Sequence, residues 1–200
     1  MQENLFGGQL TPDTALQYAK WLWTILAAVW LLMAFTTKRT KRRETVLERI
    51  RHILPLVIGF WLFFGKTFYL PWLHFRLLPN LPAIWWTGLL LTLLGVGFAL
   101  WARLSLGSNW SGTVTLKDNH ELIRKGLYSR VRHPIYSGIL LGVIGTGMIH
   151  GQLRDLLGFL LLYASFYFKA KREESFLQQE FGSNFAEHQR QTGMFLPKFQ

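Results

Sequence analysis

The sequence predicts an all-α integral membrane protein with about five transmembrane helices, of which the last two form a carboxyl-terminal helical hairpin. Half of the 200 residues are hydrophobic and only 16% are charged, whereas soluble domains usually carry about 25% charged residues. Apolar stretches recur along the chain at lengths close to those that cross a bilayer. The formal net charge of +11 is concentrated between these stretches, which is typical of loops on the cytoplasmic side of a membrane.

The first three spans are predicted at about 15–35, 53–70 and 83–100. Thr11 can cap the first helix, because Pro12 follows it and suits the first helical turn. The basic stretch 38–51 is interpreted as a solvated loop beside anionic lipid, and it assigns that side to the cytoplasm. The proline-containing connection 71–82 is expected on the outer side. Residues 1–14 lack the basic region of a secretory signal, so the first span is expected to remain in the mature protein.

Two shorter apolar runs follow the polar segment 103–134, at about 135–149 and 156–168. They predict the arms of a helical hairpin whose turn lies at the outer face, where His150 is expected to be solvated. The second arm is expected to continue as an amphipathic helix over 169–181 and to end at Gly182. This order of spans places the amino terminus outside and the carboxyl terminus in the cytoplasm, at the inner membrane if the source is bacterial.

The composition also argues against several classes of site. The chain has no cysteine, which excludes disulfides, thiolate metal sites and a thiol nucleophile. The six histidines are scattered without the spacing of metal ligands, so no metal is expected. The basic charge lies beside apolar spans, and membrane lipid is therefore a better partner for it than nucleic acid.

Two polar clusters flank the predicted hairpin. Arg132, His133 and Tyr136 precede it, and Glu173 and Glu174 follow it. Because the two ends of an antiparallel hairpin lie on the same side, these clusters should be neighbours in space. Together they can bind a zwitterion, with a cationic group for its carboxylate, a glutamate for its ammonium and an aromatic ring for a cation. Adjacent glutamates on a helix point about 100° apart, so only one is expected to face the site. The alternative is interfacial ion pairing without a ligand.

These residues carry a family resemblance. The run 126–138, Gly-Leu-Tyr-Ser-Arg-Val-Arg-His-Pro-Ile-Tyr-Ser-Gly, resembles the signature of the isoprenylcysteine carboxyl methyltransferase family, which is akin to the phospholipid N-methyltransferases. The segments 172–182 and 192–197 are similar to later blocks of that family, and 106–111 is similar to its prokaryotic branch. The resemblance therefore divides the chain into amino-terminal transmembrane helices, 1–104, and a methyltransferase region, 105–200.

The resemblance implies a membrane enzyme with a cytoplasmic pocket for S-adenosyl-L-methionine and a lipophilic or lipidated methyl acceptor. The residues it assigns to the cofactor are Gly126, Tyr128, Arg132, His133, Tyr136, Glu173 and Glu174. Lys169 stands where relatives often carry an arginine that is thought to bind the methyl acceptor. A lysine keeps the positive charge but lacks the planar guanidinium with its paired donors. The predicted catalytic residues are Glu173, Lys169 and Arg172.

The acceptor is the least specified part of this prediction. A carboxylate acceptor needs no base, whereas an amine must lose a proton. The predicted reaction is carboxyl O-methylation of an isoprenylcysteine-like acid, with N-methylation of a phospholipid amine as the alternative. Two further hypotheses are an NADPH-dependent membrane reductase and a non-catalytic membrane scaffold. Such reductases typically carry Asn and Gly-Glu where this chain has Ile135 and Gly138-Ile139.

Overall fold

The computed structural model describes residues 11–34, 40–43, 45–65, 70–107, 115–117 and 122–198. Most of these residues are helical, and the only strands among them form one short antiparallel pair. The helices and strands are α1 (Pro12–Ala34), β1 (Thr40–Arg43), α2 (Val46–Phe64), α3 (Pro82–Leu106), β2 (Thr115–Lys117), α4 (Pro134–His150), α5 (Leu153–Phe181) and α6 (Ser183–Gln191). Two 3₁₀ turns lie at Pro71–His74 and Gly126–Ser129.

The predicted helical class is confirmed, and the described helices differ in how well they match a bilayer. Among the described residues, Pro12–Met33 and Pro82–Leu106 are long and apolar enough to cross a membrane by length and composition. Pro134–His150 is apolar but shorter. α5 has 29 residues, and its apolar first half continues without a break into the polar end that the sequence predicts.

The second helix begins earlier than expected. Thr45 caps α2: the Thr45 hydroxyl accepts from the Glu48 amide at 3.4 Å, and the Glu48 carboxylate accepts from the Thr45 amide at 3.0 Å. This reciprocal pair satisfies two amides that a helix start leaves free. The helix therefore starts at Val46, and the expected loop over 38–51 is wrong for its second part. Its first part contains β1, which pairs with β2.

Glycines set the close approach of α3 and α4. A Cβ on Gly88 would lie 2.6 Å from the carbonyl oxygen of Gly145, and a Cβ on Gly95 would lie 2.6 Å from that of Gly138. Only a residue without a side chain permits such backbone contact. Gly97, by contrast, faces open space. α2 packs in a similar way on α5, so each arm of the hairpin is fixed by a different neighbour.

The hairpin turn is held by hydrogen bonds to neighbouring segments. Gly151 adopts a left-handed conformation with φ of 67°, and its carbonyl accepts from the amide of Leu77 at 2.7 Å. His150, expected to be solvated, has a side chain that is only 9% exposed, and its Nδ1 lies 2.9 Å from Oδ1 of Asp155. The other oxygen of Asp155 accepts from the Gln152 amide at 2.9 Å. The prediction failed because the helix-capping aspartate is also within reach of the last residue of α4.

Candidate active site

The backbone just before α4 is held by an extended carboxyl-terminal segment. The amide of Arg132 donates to the carbonyl of Gly193 at 2.9 Å, and the amide of His133 donates to that of Met194 at 3.1 Å. The Ser137 hydroxyl donates to the carbonyl of Phe195 at 2.6 Å. His133 is followed by Pro134, which suits the first turn of a helix because it lacks an amide donor. The side chains of Arg132 and His133 are thereby presented from a fixed backbone.

The two predicted clusters meet, as the hairpin argument requires. Arg132 Nε donates to Glu174 Oε1 at 2.7 Å, and the two side chains are only 9% and 5% exposed. Another nitrogen of the same guanidinium donates to the carbonyl of Thr192. The second oxygen of Glu174 accepts from the side-chain amide of Gln189 at 3.1 Å. Arg132 and Glu174 thus form a buried ion pair with further hydrogen-bond partners, which is the condition under which such a pair is tolerated.

His133 lies between the two glutamates. Its Nε2 is 3.3 Å from Glu174 Oε1 and its Nδ1 is 3.3 Å from Glu173 Oε2. The hydroxyl of Tyr136 donates to the other oxygen of Glu173 at 2.7 Å. Both glutamates therefore contact the cluster, and which of them faces a bound cofactor stays a prediction. Their side chains diverge along α5, but the imidazole presents one nitrogen to each of them.

His133, Glu173 and Glu174 lie outside the apolar runs of α4 and α5. Their protonation states follow from the geometry of their contacts. A neutral imidazole has one N–H, so His133 donates to both carboxylates only as an imidazolium. Burial lowers the pKa of His133, but its hydrogen bonds to Glu173 and Glu174 outweigh burial and raise the pKa. Burial raises the pKa of Glu174, but hydrogen bonds from His133 and Arg132 outweigh it and lower the pKa to about 2. Both effects favour the charged forms.

An aromatic wall continues from this cluster. The rings of His133 and Tyr136 are stacked with centroids 5.4 Å apart, and Tyr136 stacks on Phe166 at 4.8 Å. Phe195 packs edge-on against His133 and Tyr136. The ammonium of Lys169 lies 5.4 Å from the centre of the Tyr136 ring. The site therefore combines a planar apolar surface with charges of both signs.

Not every predicted site residue reaches the cluster. Tyr128 is buried, and its hydroxyl lies 3.3 Å from the carbonyl of Ala102 on α3. Gly126 begins the adjacent 3₁₀ turn with a φ of 59°. Arg172 points away: its guanidinium lies 2.5 Å from Glu48 Oε1 at the start of α2. These contacts leave the cofactor role of Gly126 and Tyr128 and the catalytic role of Arg172 as predictions.

Sequence reasoning missed α6 and the partners it supplies. Gln189 and Thr192 contact Glu174 and Arg132, and neither received a role from the sequence. A signal was present: Gly182 ends α5 with a φ of 50°, and the buried Phe185 and His188 that follow are three residues apart. That spacing is typical of one face of a helix.

Comparison with known proteins places this geometry in a family. A family model described as phospholipid methyltransferase matches residues 83–184, which contain Arg132, His133, Tyr136 and both glutamates. The chain belongs to the phospholipid methyltransferase family. The resemblance to isoprenylcysteine carboxyl methyltransferases and their phospholipid methyltransferase kin is confirmed. Gln189 and Thr192 follow the matched range and are not part of it.

Individual relatives are named as a methyltransferase in one case and as a metal-resistance protein in another. A probable protein-S-isoprenylcysteine O-methyltransferase of Oryza sativa subsp. indica is 31% identical over 127 residues, which cover 60% of this chain and 66% of the rice protein. The cobalt-zinc-cadmium resistance protein CzcN of Cupriavidus metallidurans is 38% identical over 117 residues, 57% of this chain and 52% of that protein. The chain therefore spans less than two thirds of the length of both relatives.

A solved structure also matches. The eukaryotic intramembrane Ras methyltransferase, isoprenylcysteine carboxyl methyltransferase, aligns with a TM-score of 0.50 and 29% identity, over 72% of this chain and 51% of that one. This match and the apolar α1 and α3 support the assignment of the chain to the membrane.

Proposed function

We propose that the chain is an S-adenosyl-L-methionine-dependent methyltransferase that acts at the membrane on a lipophilic or lipidated acceptor. Its reaction is carboxyl O-methylation of an isoprenylcysteine-like acid. The observation that carries the proposal is the His133 imidazole held between Glu173 and Glu174, beside the ring stack of Tyr136 and Phe166. This arrangement lies within the family match, and the named relatives support the reaction class.

The donor set suits an amino-acid cofactor with an adenine ring. Glu173 is the more accessible glutamate, with 21% of its side chain exposed against 5% for Glu174. A carboxylate in this position can accept a hydrogen bond from an ammonium group. We therefore assign the cofactor's ammonium to Glu173, and the positioning of His133 to the pair of Arg132 and Glu174. Tyr136 belongs to the aromatic wall of the site, and Gly126 and Tyr128 keep the cofactor role that the family resemblance implies.

When bound, S-adenosyl-L-methionine supplies an activated methyl group on a sulfonium, so the protein's part is alignment in a site that excludes water. The backbone pairing of 132–133 with 193–194 fixes the His133 side of the site. Stacking of Tyr136 between His133 and Phe166 removes rotational freedom from the wall. The ammonium of Lys169, 5.4 Å from the centre of the Tyr136 ring, provides a cation beside that ring. Arg172 is not included in this proposal because its guanidinium faces Glu48.

The contacts of the glutamates favour an acid over an amine as the acceptor. A phospholipid ammonium must transfer a proton to a base before it can be methylated. Glu173 and Glu174 each accept hydrogen bonds from cationic or hydroxyl donors, and these donors hold the pKa of both below its ordinary value against burial, which raises it. Both are therefore poor bases. A carboxylate acceptor needs none, and Lys169 can bind its negative charge.

We also propose that the apolar parts of α1 to α5 are five membrane spans, with the amino terminus outside and the carboxyl terminus in the cytoplasm. β1 pairs with β2, and Arg172 contacts Glu48. β1, β2, the start of α2 and the polar end of α5, all rich in Lys and Arg, therefore lie at one end of the bundle. Such an asymmetry of Lys and Arg favours that end as the cytoplasmic one. The cofactor pocket lies at the same end.

The direct test is calorimetric titration of the detergent-purified protein with S-adenosyl-homocysteine. Wild type is expected to bind in the micromolar range, and Glu173→Gln is expected to weaken binding about tenfold or more, since it removes a charge-assisted hydrogen bond. Glu180→Gln, an exposed glutamate on the same helix, is the matched control and should bind as wild type. A folded wild-type sample that binds no S-adenosyl-homocysteine would refute the proposal. Binding of NADPH instead would favour a membrane reductase.

The acceptor is tested separately with labelled S-adenosyl-L-methionine. Prenylcysteine acids are expected to become methylated, and phosphatidylethanolamine is not. Transfer of label to phosphatidylethanolamine alone would contradict the choice of a carboxylate acceptor while leaving the cofactor assignment in place.

A further inference from the structure

α6 contacts both members of the buried ion pair through one residue. The Gln189 side-chain amide donates to Glu174 Oε2 at 3.1 Å. The Gln189 main-chain carbonyl accepts from Arg132 at 3.3 Å. Gly182 permits this return of the chain, because its φ of 50° turns α6 back from the end of α5. Gln189 is thereby placed on the opposite side of Glu174 from His133.

The two oxygens of Glu174 have different partners. Oε1 accepts from Arg132 and faces His133, both on the α4 side. Oε2 accepts from Gln189 on the α6 side. A carboxylate held by donors at both oxygens cannot rotate about its terminal bond without losing one of them. The amide of Gln189 therefore keeps Oε1 directed at the imidazole.

We propose that Gln189 is a positioning residue of the cofactor site that acts through Glu174. This inference rests on the proposed methyltransferase function. Gln189 aligns the carboxylate of Glu174, which in turn contacts Nε2 of His133. The orientation of the imidazole ring is thereby fixed, and with it the direction in which Nδ1 points at Glu173. Glu173 is the carboxylate assigned to the cofactor's ammonium, so a change at residue 189 should be felt in cofactor affinity.

Two substitutions separate hydrogen bonding from shape. Gln189→Leu removes the donor, and Gln189→Glu keeps the side-chain shape but places a second negative charge beside Glu174. A role as donor predicts that S-adenosyl-homocysteine binds about threefold more weakly to the leucine variant and about tenfold more weakly to the glutamate variant. A role in shape alone predicts the reverse order, with the glutamate variant close to wild type.

The measurement is calorimetric titration of each detergent-purified variant, with the thermal midpoint recorded on the same sample. Gln191→Glu is the matched control, since it adds the same charge on the same helix at an exposed position, and it should bind as wild type. Wild-type affinity in both Gln189 variants, or the reverse order, would overturn the inference while the proposed function stands. Failure of wild type itself to bind would overturn the proposed function as well. If the glutamate variant does not fold, the threefold loss in the leucine variant against Gln191→Leu decides.

Discussion

Replacement of Glu174 by glutamine should destabilise the protein, by an amount that its surroundings determine. The carboxylate is 5% exposed, and its hydrogen-bonded partners lower its pKa from 4.5 to about 2. At about 1.4 kcal/mol per pKa unit, this difference corresponds to about 3 kcal/mol of folding free energy at neutral pH. Because the folded-state pKa is the lower one, the contribution is complete above pH 4.5 and is lost as the pH falls towards 2.

The assay is thermal unfolding of the detergent-purified protein between pH 7 and pH 3, for wild type and Glu174→Gln. Wild type should lose about 2 kcal/mol of this contribution by pH 3, whereas the variant should lack that acid-dependent part and have a lower midpoint at pH 7. His133 has the opposite sign, since a raised pKa gives stability that is lost as the pH rises. Equal thermal midpoints of wild type and Glu174→Gln at pH 7, or an equal fall of both midpoints towards pH 3, would refute the reasoning. Glu180→Gln, at an exposed glutamate, is the control.

Two further substitutions probe the scaffold that holds the site. Gly95→Ala should destabilise the protein by about 1–3 kcal/mol, because its Cβ would meet the α4 backbone. Gly97→Ala, in open space on the same helix, should stabilise it slightly in the same unfolding assay, because alanine is the better helix former. Arg172→Ala should lower the thermal midpoint only slightly, because both members of its ion pair with Glu48 are partly exposed to solvent, and should leave S-adenosyl-homocysteine affinity unchanged. A large loss of S-adenosyl-homocysteine affinity in this variant would show that Arg172 does belong to the cofactor site.

The sequence was most informative where one local pattern decides the structure. Apolar runs predicted the helices, and the hairpin predicted that Arg132 and Glu174 are neighbours. The start of α2 was misjudged although its signal was local: Thr45 and Glu48 are spaced as a capping box. The span was predicted from its apolar residues, which begin at about Ile53. The first turns of α2 carry charged residues, so hydropathy alone did not include them in the helix.

Other features depend on contacts between distant residues. The pairing of β1 with β2 joins segments more than seventy residues apart, and the ion pair of Arg172 with Glu48 joins α5 to α2. Composition and periodicity describe neighbouring residues along the chain and do not predict contacts between distant ones. The position of the second glutamate is a related case. Adjacent residues on a helix point in different directions, but an imidazole with two nitrogens contacts both carboxylates.

The meeting of Arg132 with Glu174 follows from the lengths of the two hairpin arms. Sixteen helical steps from His150 back to Pro134 and two extended steps to Arg132 cover about 31 Å. Twenty-one helical steps from Leu153 to Glu174 cover about the same distance. The capped turn at one end therefore sets the register of the ion pair at the other. Because α3 and α2 each fix one arm through close glycine contacts, the arms cannot slide to correct an error in length. A site of this kind depends on residue count as much as on residue identity.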